Sequence, residues 1–219
     1  MDVQVSARSR RSVRAFLAKP IDPVVLRELF TVAQHAPSWC NIQPWRVWVT
    51  SGATTRALTD ALVAAAQASR VGNPEWPWPV DYPEPYRAER IACAVALYGA
   101  LGIRRDDHAR RDEAWLDNYR AFGAPHVAVV ALDSAFSVYG ALDIGCWLQT
   151  LMLAACERGV ATCAQASLAY YPDAVRSVLP IPARERVLVG VALGYEDTNA
   201  EANRCKTTRA PLQSNVTFV

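Results

Sequence analysis

The sequence predicts a layered domain of helices packed on a sheet, α+β or α/β. Segments with a helical apolar period alternate with about four well-separated runs that read as strands. One segment, 138–158, is apolar on nearly every side and is too long for a strand. The 219 residues, 52% hydrophobic and 20% charged, have an ordinary globular composition and enough chain for a core, as one large domain or two small ones.

The elements follow in order. Asp22-Pro23 starts a helix, with Asp as N-cap and Pro at the first helical position. Val25, Leu26, Leu29, Phe30, Val32 and Ala33 give it an apolar stripe, and it ends before Pro37. Residues 46–50 alternate as a strand, with Val47 and Val49 on one face. Residues 53–70 are Ala-rich and helical, turning Leu58, Leu62 and Ala65 or Ala66 inward. Residues 73–86 carry five prolines interleaved with Trp76, Trp78, Tyr82 and Tyr86, which forbids helix or central strand and predicts an irregular excursion.

Two helices are expected next, over 84–101 and 106–122, separated at Gly102. Residues 125–133 read as a buried strand, and 138–158 as a long helix capped by Gly159. A short helix over 171–179, a strand over 186–195 and an extended tail complete the chain. A helix apolar all round must be covered all round. A second subunit is one cover for 138–158, and sandwiching within a monomer is the other.

A net charge of +2 points neither to a nucleic-acid surface nor to an acidic tail. The first 14 residues are polar and basic, without the apolar core of a secretory signal. Asp143 and Gln149 mark the apolar segment as a buried helix rather than a membrane span. The six cysteines form no Cys-x-x-Cys pair and no metal-like cluster with the three histidines. They read as reduced thiols, and the expected compartment is the cytoplasm.

Chemistry is concentrated in two places. Arg10-Arg11-Ser12-Val13-Arg14 packs three guanidiniums and a hydroxyl into five residues, which suits a phosphorylated ligand; the same residues also read as a basic arm on a solvated face. Pro37-Ser38-Trp39-Cys40-Asn41-Ile42-Gln43-Pro44-Trp45 follows a helix end and mixes small polar groups with tryptophan, as a loop meeting a flat heteroaromatic ring would, or as a plain turn before a strand. No Gly-x-Ser-x-Gly elbow, Cys-His arrangement or Gly-x-Gly-x-x-Gly fingerprint is present, so neither a catalytic side chain nor a metal ligand is assigned.

The order of these pieces resembles the nitroreductase family of flavoproteins. That family opens with Arg-Arg-Ser-x-Arg and carries a later Pro-Ser-x-x-Asn-x-Gln-Pro-Trp loop. A third piece, Asn203-Arg204-Cys205-Lys206-Thr207-Thr208-Arg209-Ala210-Pro211-Leu212, is similar to its basic closing segment. The resemblance covers nearly the whole chain. It implies an α+β fold, a three-layer α/β/α sandwich with a mixed, mainly antiparallel sheet, in an interlocked homodimer with the long helix at the interface. It further implies one flavin-binding domain over 1–219, with an excursion at about 71–122 covering the active site and an extended tail at about 196–219.

Carried over residue by residue, the resemblance implies that Arg10, Arg11, Ser12, Arg14, Lys206 and Arg209 hold FMN, the outer cations at its phosphate and Arg14 by the pyrimidine edge of the ring. Gln165-Ala166 would lie near flavin N5, and Pro37, Ser38, Trp39 and Asn41 would reach the same cofactor from the other subunit. The implied reaction is ping-pong hydride transfer from NAD(P)H through flavin N5 to a small aromatic acceptor, nitroaromatic or quinone-like. Other chemistry on the same scaffold, reductive dehalogenation or flavin destruction, is the alternative, as is a flavin-binding sensor without turnover. Trp39-Cys40 and the spacing of Lys206 before Arg209 depart from the pattern, and Cys40, Cys163 and Cys205 read as inert packing residues near the site.

Overall fold

The computed structural model describes residues 2–219. Its elements run α1 (Val3–Ser9), α2 (Pro23–Ala33), β1 (Trp45–Ser51), α3 (Ala53–Ala68), α4 (Tyr86–Ala100), α5 (His108–Leu116), β2 (His126–Asp133), α6 (Val138–Glu157), β3 (Ala161–Gln165), α7 (Pro172–Val178) and β4 (Glu185–Gly194). The strands form one sheet in the order β1-β2-β4-β3, and each neighbouring pair is antiparallel. The only parallel element among the described residues is a single bridge between Ser12 and Thr162, by which the N-terminal arm extends the sheet past its β3 edge.

Strand β2 sets the layering. Val127, Val129 and Ala131 face a core shared with Leu58 and Leu62 of α3 and Val175 of α7. Ala128, Val130 and Leu132 face a second core built from Leu29 and Ala33 of α2 and Ile144, Trp147 and Leu151 of α6. A strand buried on both faces reads as a continuous apolar run, and Val127-Ala-Val-Val-Ala-Leu132 is one. Each fully buried Leu or Val contributes about 1.5–3 kcal/mol relative to exposure. The result is the three-layer α/β/α sandwich.

The caps behave as their chemistry requires. Asp22 accepts the N–H of Val24 at 2.8 Å ahead of Pro23, and Gly159 takes φ +66 just past α6. At Gly190 of β4 an added Cβ would lie 2.5 Å from Leu168, so glycine there lets the 3-10 turn after β3 lie against the sheet.

Two helices are shorter than expected. Helix α4 begins at Tyr86 rather than at Glu84, with Pro85 in the N-cap position. A proline at 85 disfavours helical backbone at the residue before it, which keeps Glu84 outside the helix. Helix α5 stops at Leu116 instead of running to 122. There the Asn118 amide donates to the Trp115 carbonyl at 3.0 Å, Phe122 N–H returns to Asp117 O at 3.0 Å, and Ala121 and Phe122 take φ 50 and 55. The turn buries Tyr119 and Ala121 in the α3/α7 core, which a continued helix would not do.

Helix α1 and strand β3 are elements that the sequence pattern does not announce. Helix α1 buries only Ser6, and β3 is Ala-Thr-Cys-Ala-Gln, without a β-branched run. Helix α6 has the length and composition of a membrane-crossing helix, but Ile144, Trp147 and Leu151 pack against the sheet. Its opposite side is bare in the single chain, with Val138 and Leu142 72% and 63% exposed. The start of the excursion is stitched down: Glu75 accepts the Val187 N–H and the Arg176 guanidinium, both at 2.7 Å.

Candidate functional site

The chain leaves α1 at Ser9, and Arg10 is already extended. From there the arm runs beside the C-terminal segment. Ala7, Arg8, Ser9, Arg10 and Arg11 line one side of a cleft of about 570 Å³, and Lys206, Thr207 and Arg209 line the other. Five cationic side chains and no carboxylate line it. Like charges gathered in this way favour an anion between them.

The cations are not equivalent. The Arg11 guanidinium is ion-paired with Glu196 and donates to the Asn203 carbonyl at 2.8 Å. Arg209 rests on its own segment, donating to Thr207 Oγ1 at 3.0 Å and Thr208 O at 2.8 Å. Arg8, Arg10 and Lys206 have no ion pair among the described residues.

Further along the arm, Ser12 bridges to Thr162 of β3, and Val13 N–H donates to Thr162 O at 3.1 Å. The backbone N–H of Arg14 donates to Asn203 Oδ1 at 2.7 Å. The Cys163 thiol lies near Ser12 and the Arg10 and Arg14 charges; burial pushes its pKa up, against the lowering by Arg14, Ser12 and Arg10. It is therefore a protonated packing residue.

At the end of β3 Gln165 is buried. Its Nε2 donates to Asn118 O at 2.9 Å, while its Oε1 has no partner. Ala166, the next residue, is exposed and opens the 3-10 turn Ala166–Ala169.

The 37–43 loop sits elsewhere. Pro37, Trp39 and Asn41 are exposed and Ser38 is half-buried. Ser38 Oγ accepts the Gln43 N–H at 3.0 Å, and Trp39 N–H donates to Asp143 Oδ1 of α6 at 3.1 Å. The Trp39 ring meets Tyr139 edge-on at 4.8 Å. Cys40, Asn41 and Gln43 all have positive φ, 47, 57 and 48, strain that the surrounding bonds hold in place.

One chain thus brings Arg10, Arg11, Lys206 and Arg209 to one cleft, with Ser12 and Arg14 on the same arm and Gln165 and Ala166 at the far end of β3. It does not bring Pro37, Ser38, Trp39 and Asn41 there. The arm is tied to α6 at Cys156, whose Sγ lies 3.3 Å from Ser9 Oγ, and the loop is tied at Asp143. The stretch of helix between those anchors is about 20 Å long at 1.5 Å per residue.

Sequence reasoning missed Asn203 and Glu196 as partners of the arm, and Asp143 as the anchor of the loop. A lone carboxylate in an apolar helix was the available signal for Asp143, since a buried charge needs a donor.

Comparison with known proteins adds four findings. The model of the family described as "Nitroreductase family" matches residues 7–195. The nitroreductase NfnB of Mycolicibacterium smegmatis is 38% identical over 212 residues, covering 96% of this chain and 90% of the relative. A 4-nitrobenzoate reductase of Nocardioides sp. is 35% identical over 216 residues, covering 97% and 87%. The crystal structure of the FMN-dependent nitroreductase NfnB from Mycobacterium smegmatis in complex with NADPH superposes with a TM-score of 0.94 at 35% identity, over 100% of both chains.

Proposed function

The chain belongs to the nitroreductase family, and from that premise we propose that it is an FMN-dependent oxidoreductase that uses NAD(P)H to reduce nitroaromatic compounds. The observation that carries this reading is the cleft at the joined chain ends, whose cationic lining and lack of a carboxylate fit a phosphate. The unpaired Gln165 Oε1 supports it, because a buried acceptor without a donor is costly and a ligand donor relieves it.

In this reading Arg10, Lys206 and Arg209 bind the phosphate. Ser12 and Arg14 face the flavin, with the Arg14 charge by the pyrimidine edge, and Gln165-Ala166 lie near N5. Bound there, FMN supplies two-electron chemistry that no side chain of the protein offers. The protein binds, orients and tunes it for a small flat acceptor, nitroaromatic or quinone-like.

Pro37, Ser38, Trp39 and Asn41 complete the site from a second copy of the chain. The whole of 1–219 acts as one flavin-binding domain, with the excursion at about 71–122 over the site and the tail at about 196–219 closing the phosphate end. All six cysteines carry free thiols, which fits a cytoplasmic location.

The test is the flavin itself. Acid release from the purified protein followed by chromatography should give FMN, and the bound flavin should bleach with NADPH and recolour with a nitroarene. Recovery of FAD, or no flavin after reconstitution, defeats the reading.

A further inference from the structure

Asn203 is 4% exposed, and both polar atoms of its side chain are engaged. Its Oδ1 accepts the Arg14 N–H at 2.7 Å, and its Nδ2 donates to Ala15 O at 2.8 Å and to Asp197 O at 2.9 Å. Its backbone carbonyl accepts Arg11 Nη1 at 2.8 Å, while Arg11 Nη2 pairs with Glu196. Two backbone bonds run alongside, Leu17 N–H to Tyr195 O at 2.8 Å and Asp197 N–H to Ala15 O at 3.1 Å. Opposite ends of the sequence are laced together around one buried amide.

The lacing joins the two segments that line the cleft. Arg10 projects from one side of it and Lys206 and Arg209 from the other. Their mutual repulsion opposes the arrangement, so something must hold the two segments in register.

We propose that Asn203 and the Arg11–Glu196 pair form a clamp that positions the phosphate-binding cations, and that Arg11 is a strut of this clamp rather than a ligand of the cofactor. Asn203 is a positioning residue: it acts through Arg14, Ala15 and Asp197. The inference rests on the FMN reading above.

Riboflavin, which lacks the phosphate, separates a phosphate-end clamp from a general scaffold. The full-length chain, stripped of flavin, is titrated with FMN and with riboflavin by fluorescence quenching, alongside its Asn203→Ala, Glu196→Gln and Arg11→Ala variants. The clamp predicts that Glu196→Gln and Arg11→Ala each lose about tenfold in FMN affinity with riboflavin affinity unchanged, while Asn203→Ala, which also releases the Arg14 backbone beside the ring, loses at least as much FMN affinity. If Arg11 is instead a phosphate ligand, Glu196→Gln frees its guanidinium and FMN binding holds or tightens, which overturns the proposal. A parallel loss of riboflavin affinity in Glu196→Gln or Arg11→Ala overturns it as well. Should Asn203→Ala fail to fold, the Glu196→Gln arm still decides, since Arg11→Ala weakens FMN binding whether Arg11 is a strut or a ligand. Wild-type protein that binds no FMN sinks the functional reading and the clamp together; wild-type binding with unaffected variants sinks the clamp alone.

Discussion

Asp143 accepts the backbone N–H of Trp39 at 3.1 Å and so fastens the strained 37–43 loop to the apolar helix α6. The other carboxylate oxygen, Oδ2, is buried without a partner. That bond and the edge-on contact of the Trp39 ring with Tyr139 tie the loop to α6, because Ser38 Oγ and the Gln43 side chain bond within the loop itself.

Replacing Asp143 by Ala should therefore loosen the loop, at a cost of about 1–3 kcal/mol for the lost charge-assisted bond. Thermal melting measures the cost, and the rate of limited proteolysis within 37–43 reports the loop. A variant with unchanged melting and proteolysis would show that the bond does not hold the loop.

The histidine at the start of β2 gives a pH prediction. His126 Nε2 accepts the Ile21 N–H at 3.0 Å, and Nδ1 lies 2.7 Å from Ser51 Oγ. An acceptor nitrogen must be unprotonated, and burial pushes the pKa below its ordinary value, against the Thr50 carbonyl, which raises it. With the folded pKa depressed, the unfolded chain takes up the proton first as pH falls. The contribution of His126 is thus fully present above about pH 6.5 and is lost as pH drops from there toward the folded pKa. Melting between about pH 7.5 and 5.5, a window that brackets the ordinary histidine pKa, should show this loss. The His126→Gln variant should flatten it, and an unchanged slope there would place the effect elsewhere.

The basic cleft gives the third. Arg10→Ala and Arg209→Ala should each weaken FMN retention by about ten- to hundredfold, since a hydrogen bond to a charged group contributes about 1.5–3 kcal/mol. Equilibrium dialysis against FMN measures it. Full retention in both variants would return the arm to a solvated face.

Legibility followed local chemistry. Strand β2 and helix α6 are plain in the sequence because a run such as Val127 to Leu132 and a long apolar segment have few other solutions. The Asp22 cap and the Gly159 stop are read from single residues because their chemistry is local. Strand β3 is not: its Ala-Thr-Cys-Ala-Gln sequence pairs because β4 and the Ser12 arm flank it. The same holds for the site. Cation clusters announce themselves in sequence, but the Arg11–Glu196 pair and the Asn203 bonds join opposite ends of the chain. Arg11 looks like Arg10 in the sequence, and only the fold separates them.

The last prediction is the dimer. The loop is tied to α6 at Asp143 and the arm at Cys156, about 20 Å apart along the helix. No rotation within one chain closes that gap, because both anchors sit on one rigid helix. A two-fold axis near the middle of α6 does close it, by setting the Asp143 end of one helix beside the Cys156 end of the other, and a two-fold contact gives two such sites. The bare face fits: Val138, Leu142, Gly145 and Gln149 follow helical spacing, and a Cβ built on Gly145 meets nothing within 4 Å, leaving room for a close neighbour. Leu142→Arg places a charge on that face without touching the core, whereas Leu148 packs into the α2/α6 core and would report on folding instead. Sedimentation of the wild-type protein should give twice the mass of one chain. Leu142→Arg should give a folded monomer that has lost its FMN, because Pro37, Ser38, Trp39 and Asn41 no longer reach the cleft. A Leu142→Arg monomer that keeps FMN with wild-type affinity would show that one chain builds the site alone, and would remove the loop from it.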